Sequence, residues 1–187
     1  MRTSLIAAVV AASLFTLAGC GDDDADNVAG HNDADVTFAQ EMIPHHQQAV
    51  EMSDLAASRA ESDDVKSLAA DIAAAQGPEI ETMTGWLESW GESLPDEAMA
   101  GMDHGDMSAG EMPGMMTGEQ MADLEAASGA TFDQMFLTMM IDHHEGAIQM
   151  AKTQQAEGEF PEAIAMAEEI EQTQTQEIQT MQDLLNP

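Results

Sequence analysis

The chain has 187 residues, of which 36 are Asp or Glu and only 4 are Lys or Arg, giving a formal charge of −32. Such a surface repels phosphate, which excludes nucleic acid as a partner and excludes electrostatic attachment to anionic lipid headgroups. It does concentrate cations, and its single cysteine, Cys20, excludes an internal disulfide framework.

The first element is a leader. Met1-Arg2 supplies a short basic start, Ile6 to Leu17 an apolar run, and Leu17-Ala18-Gly19-Cys20 a small-residue end. That run is too short for a stable membrane span and reads as a secretory signal over 1–19. The Leu-Ala-Gly-Cys ending resembles a bacterial lipobox, which would make Cys20 the lipidated first mature residue. Residues 20–34 are acidic and lack hydrophobic periodicity, so they read as a solvated tether, with His31 incidental to it. The remaining chain, 35–187, is one domain's worth.

That domain is duplicated. Shifted by 98 residues, 38–87 falls on 136–185 without a gap, with sixteen of fifty positions identical. Phe38 falls on Phe136, Met42-Ile43 on Met140-Ile141, His45-His46 on His143-His144, Ala49 on Ala147 and Met52 on Met150. Further on, Ile72, Gln76, Glu79-Ile80, Thr82-Met83 and Leu87 find identical partners. Each copy, about 35–91 and 118–187, is rich in Ala, Glu, Gln, Met and Leu and predicts a helical hairpin.

In the first copy the pattern predicts helices from about Asp35 to Ala60 and from about Ser62 to Trp90, with Gly91 as the stop. Gly77-Pro78 should kink or split the second. Pro44 is awkward in the first, and if it opened that helix Met42 would leave the face described below. In the second copy Thr117-Gly-Glu-Gln120 is a capping box for a helix running to about Gly158, and Pro161 suits the first turn of the next. The fold expected is all-α: an up-down four-helix bundle of two hairpins. Trp86 and Trp90, four apart, should pack in its core or under a loop.

At about 100° per residue, Phe38, Met42, His45, His46, Ala49 and Met52 occupy one stripe of about 120°. Phe136, Met140, His143, His144, Ala147 and Met150 do the same. Imidazole with thioether suits Cu(I), Cu(II) or Ag(I), and zinc can use the imidazoles alone. Mg²⁺ and Ca²⁺ want oxygen cages that these stripes do not supply. No Glu-x-x-His occurs in the chain, which disfavours a di-iron carboxylate centre. The metal ligands expected are therefore His45, His46, His143 and His144 with Met42, Met52, Met140 and Met150, at one shared site or two. Their affinity should fall below about pH 6 as free imidazoles protonate.

Between the copies, about 98–117, methionines and His104 stand among Gly, Asp, Ser and Pro with no apolar face to draw through them. Met102, His104, Met107, Met112, Met115 and Met116 are secondary ligand candidates on a capture arm, or else part of a loop that tucks Met115 or Met116 into the bundle.

The paired Phe-x3-Met-Ile-x-His-His-x2-Ala-x2-Met stretches, Gly-Met-Met-Thr at 114–117 and the run at 132–151 resemble the domain-of-unknown-function 305 family. The resemblance covers about 35–186. It implies a ferritin-like four-helix bundle, usually secreted or lipid-anchored, with some members similar to periplasmic copper-binding proteins. Together these readings predict a non-catalytic, extracytoplasmic copper-binding lipoprotein for sequestration or delivery. A ferritin-like metal-dependent oxidase using Glu41 or Asp142, and a cell-surface interaction module without metal, are the alternatives.

Overall fold

The structure, a computed structural model, describes residues 30–95 and 112–186. Five helices account for most of them: α1 (Asp33–Arg59), α2 (Asp63–Trp90), a short α3 (Gly118–Ala126), α4 (Ala130–Glu157) and α5 (Pro161–Leu185). Among the described residues there is no strand, and no helix long and apolar enough to cross a membrane. The signal segment, Cys20 and most of the tether lie outside them.

The helix starts follow local chemistry. Asn32 accepts from the Ala34 and Asp35 amides, and Asp35 accepts in return from the Asn32 amide, a reciprocal cap. Helix α1 therefore begins slightly before the tether was expected to end, and Pro44 sits inside it rather than opening it. Helix α2 likewise continues through Gly77-Pro78 unsplit and stops at Gly91, whose φ of 75° suits glycine. His31, expected to be incidental, stacks on Trp90 with ring centroids 4.4 Å apart, and Trp86 and Trp90 meet Phe160 edge-on.

One expected helix is two. The Thr117–Gln120 capping box forms, but the helix it opens ends at Ala126, and α4 starts anew after Gly129. The break is held from outside: the Gly129 amide, at φ 63°, donates to the Arg59 carbonyl at 2.8 Å, and Glu61 accepts from the Ala130 amide at 3.0 Å. Tertiary hydrogen bonds to the α1–α2 turn thus win over helix continuity.

Hairpins α1–α2 and α4–α5 pack through α1 and α4. The N-terminal half of α1 (Phe38, Ala39, Met42) meets the C-terminal half of α4 (Ala147, Met150, Ala151) in one apolar cluster. The C-terminal half of α1 (Ala49, Met52, Ala56) meets the N-terminal half of α4 (Phe132, Phe136, Met140) in another. The two motif helices are therefore antiparallel. Each hairpin is up-down as expected, and α2 ends at the end of the bundle opposite the start of α4, the arrangement of bundles with one long crossover.

Two aspartates clasp the hairpins together, and they are also 98 residues apart. Asp35, fully buried, accepts from the Glu159 and Phe160 amides in the α4–α5 turn and from Gln154. Asp133 accepts from the Glu61 and Ser62 amides in the α1–α2 turn, at 3.0 and 2.9 Å. Each hairpin thus caps the other's second helix, and the duplication becomes a local two-fold.

Candidate metal site

The four motif histidines lie where the two apolar clusters part. Positions 45 and 46 of α1 and 143 and 144 of α4 separate the residues of one cluster from those of the other, and all four histidines are fully buried. Gln76 of α2 and Gln174 of α5, 2% and 3% exposed, belong to the same level, between Ile72 and Met83 in one copy and between Ile170 and Met181 in the other. A polar layer therefore crosses the core, with Met42, Met83 and Met150 on one side and Met52, Met140 and Met181 on the other. The methionines expected as ligands are all buried, and they are also core packing.

The fold joins the two repeats at one place. The His45 and His143 rings approach to 3.7 Å between centroids, so the histidine pairs share a single layer. His46 donates from Nε2 to Glu79 at 2.8 Å, and His144 from Nε2 to Glu177 at 2.7 Å. His45 donates from Nε2 to the Pro113 carbonyl at 3.0 Å. Five buried ring nitrogens find no protein partner: Nδ1 of His45, His46 and His144, and both nitrogens of His143. Gln76 has neither amide atom paired, and Gln174 has a free Oε1. Leaving so many buried polar atoms unpaired is costly for a fold.

Burial pushes His45 down to about 3, with the neighbouring His46 adding to the shift against the hydrogen bond to Pro113. Burial likewise holds His143 well below its ordinary value, reinforced by the other three histidines. Both rings are thus neutral at any physiological pH, with nitrogen lone pairs available to a metal. Among the described residues, no three His, Cys, Asp or Glu side chains gather closely enough to hold a metal by themselves. Imidazole supplies at most part of a coordination set here, and thioether is the donor stored on either side of it. That chemistry fits a soft ion and not an oxygen-seeking one.

The end of the inter-repeat segment is a strap over this layer. Pro113-Gly114 lies flat on α4: a Cβ on Gly114 would come within 2.6 Å of the Asp142 carbonyl oxygen, and one on Gly146 within 2.0 Å of the Pro113 carbonyl oxygen. The Gln48 side chain holds both backbone groups of Met116, at 2.9 and 2.7 Å. Met116 is a core residue packed with Leu124 and Met140 rather than part of a free arm, while Met112 and Met115 are half-buried. Met102, His104 and Met107 lie outside the described residues. A groove of about 430 Å³ between α1 and α4 reaches the strap, lined in part by Glu41, Pro113 and Met150. Glu41 and Asp142, nominated as acid or base, are both exposed.

Gly146→Ala is therefore expected to displace the strap and cost about 1–3 kcal/mol through overpacking. The measurement is urea denaturation together with the ring ¹⁵N resonances of His45, which should lose the signature of its bond to Pro113. An alanine variant with wild-type stability and an unmoved His45 would contradict that packing.

Sequence reasoning missed Glu79, Glu177, Gln76 and Gln174 as parts of the site. The signal was available, because all four are identical between the copies.

The DUF305 family profile, a domain of unknown function, matches residues 35–185. No curated protein matches the chain. Among solved structures it is similar to a presumed secreted DUF305 protein from Streptomyces coelicolor, at 36% identity and a TM-score of 0.71 over 81% of this chain and 91% of that one. A DUF305 fragment from Deinococcus radiodurans is 30% identical, with a TM-score of 0.71 over 82% and 96% of the two chains. CopM in its Cu(II)-bound form is 34% identical, with a TM-score of 0.67 over 80% and 94%. CopM has also been solved with Cu(I) and with silver.

Proposed function

The chain belongs to the DUF305 family, and on that premise we propose that it is an extracytoplasmic lipoprotein that binds copper as cargo. It sequesters or delivers the ion without catalysing a reaction. The observation that carries this reading is the buried polar layer, whose five partnerless imidazole nitrogens lie between two methionine-bearing clusters. A core evolved only for stability would fill that layer with apolar side chains. His45, His46, His143 and His144 are the imidazole ligands, and Met42, Met52, Met140 and Met150 the thioethers. The copper- and silver-bound CopM structures support the choice of ion. Zinc can use the imidazoles alone, and silver is a redox-inert substitute for Cu(I).

The ion reaches the layer from the surface groove between α1 and α4, where a charge of −32 concentrates cations. Attachment is through Cys20, on the lipobox-like sequence. It is supported by the secretory character of the leader, and acidic headgroups would not hold this surface otherwise.

The test is an anaerobic titration of the purified protein with Cu(I) against a chromophoric chelator, with the bound ions counted. The protein should withdraw Cu(I) from a chelator of moderate affinity, and a protein that leaves all of it behind ends the proposal. Repeating the titration at pH 5.5 adds a second outcome. Free imidazoles would lose affinity as protons compete below pH 6.5. Because His45 is held at about 3 and His143 well below its ordinary value, these two ligands meet no such competition. His45 and His143 should therefore add little to any loss of affinity between pH 7 and 5.5, and a variant keeping only these two histidines should lose less than about tenfold.

A further inference from the structure

We infer that His45, His46 and His144 offer Nδ1, not Nε2, to bound metal, as members of mixed imidazole–thioether sets rather than of one three-imidazole site, and that Glu79 and Glu177 are the positioning residues that fix this choice for His46 and His144. The inference rests on the copper-binding reading above and adds which atoms do the binding and what selects them.

An ionised carboxylate only accepts hydrogen bonds, as does a backbone carbonyl. Nε2 of His46 lies 2.8 Å from Glu79 Oε2, and Nε2 of His144 lies 2.7 Å from Glu177 Oε2. Nε2 of His45 lies 3.0 Å from the Pro113 carbonyl. In each of the three rings the acceptor holds a proton on Nε2, so the neutral form carries its lone pair on Nδ1. Those three Nδ1 atoms are buried and without a protein partner. The arrangement is made twice by the duplication and a third time by the strap, from three different acceptors, with the same nitrogen left free each time.

The carboxylates do not sit on the helices that carry the histidines. They come from α2 and α5, and their side chains are 22% and 15% exposed while the histidines are fully enclosed. Glu79 and Glu177 thus keep partial hydration, which makes their charge tolerable, while anchoring rings in the dry interior. A carboxylate behind the ring orients it, fixes its tautomer and increases its basicity toward a metal on the other nitrogen. The i−4 neighbour of each anchored ring is a buried methionine, Met42 for His46 and Met140 for His144. Residues four apart share one helix face, so each copy offers a thioether and an imidazole from adjacent turns. His143 makes no well-formed hydrogen bond through either nitrogen, only an approach to the His45 backbone, so no acceptor fixes which one it offers.

The experiment reads ¹⁵N shifts of the histidine rings in the metal-free full-length protein at pH 8, then during titration with Ag(I). The expected result is the Nε2–H tautomer at His45, His46 and His144 before metal, with Ag(I) moving Nδ1 while Nε2–H persists. Glu79→Gln and Glu177→Gln should each weaken Ag(I) and Cu(I) binding by roughly tenfold, with little change in the melting of the metal-free protein. An Nδ1–H tautomer at these rings, or an Ag(I)-induced shift at Nε2, overturns the inference. Glutamine variants that lose stability but keep full affinity overturn it too, by reducing the pairs to fold supports. The spectra of the unaltered chain decide the tautomer even if a variant fails to fold. A chain that takes up neither ion defeats the copper reading itself, whereas uptake through Nε2 defeats only the nitrogen assignment.

Discussion

Replacing His143 by leucine is expected to stabilise the metal-free protein by about 1–3 kcal/mol while weakening its hold on Cu(I) by roughly tenfold or more. His143 is fully buried, and neither ring nitrogen has a partner. Leucine has a similar volume and no polar atom, so the substitution removes two unpaired groups without opening a large cavity. The gain should grow in acid. Burial holds the folded-state value of His143 well below 6.5, so between these values the unfolded chain binds a proton that the native chain does not. The native state therefore loses stability as pH falls below 6.5, by up to about 1.4 kcal/mol per pH unit for that group. His143→Leu is spared that loss. Urea denaturation of both proteins at pH 7 and pH 5.5, with the anaerobic Cu(I) titration beside it, measures both halves. A leucine variant less stable than the parent would mean that the ring is there for packing.

Removing the two clasps has the opposite sign. Asp35→Ala combined with Asp133→Ala should cost about 3–5 kcal/mol, because the amides of two interhelical turns lose their acceptors together. The clasps stand at opposite ends of the bundle, so their effects should add. Against a total stability of about 5–15 kcal/mol, the double variant approaches the unfolding threshold. Asp35 should contribute the larger share, being the fully buried one with an additional bond from Gln154. Burial pushes its carboxyl upward, but the hydrogen bonds from Asn32, Gln154, Glu159 and Phe160 outweigh that and hold it below 3.8. A carboxyl lowered on folding stabilises fully above its unfolded value. That contribution fades as pH falls through the lower folded value. The difference between wild type and Asp35→Asn should thus be constant from pH 7 to about 5 and shrink below about 3.8. A double variant that loses less than about 1 kcal/mol would remove the clasps as a source of stability.

Both predictions start from residues whose importance depends on what surrounds them. His143 was visible as one of four stripe histidines, but its lack of any partner was not. In one dimension Asp35 is only the first residue of a predicted helix, and Asp133 an acidic residue inside the long helix expected from Thr117 to about Gly158. The reciprocal clasp becomes legible only when the 98-residue shift is extended a few positions upstream and the turns are brought across the bundle. Glu79 and Glu177 were matched in the duplication, yet nothing in one dimension says which histidine a glutamate 33 residues away will reach. The break before α4 escapes the sequence for a related reason. Ser128-Gly129 is a weak stop by itself, and the Arg59 carbonyl that fixes it comes from another helix.

The sequence by itself determined the helical class, the duplication, and the stripe that carries both histidine pairs inward. These are properties of spacing: a 3.6-residue period and a constant shift survive without knowledge of packing. Even the two internal prolines, Pro44 in α1 and Pro78 in α2, did not end their helices, since both helices are held by tertiary burial more than by propensity. Tertiary structure alone decided that α1 and α4 meet antiparallel, and so that His45 and His143 join the copies in one layer. It also decided that burial keeps these two rings neutral and that the strap at Pro113 covers them. Long-range pairing and desolvation depend on what each side chain faces across the core, and the order of residues along a chain does not contain that directly.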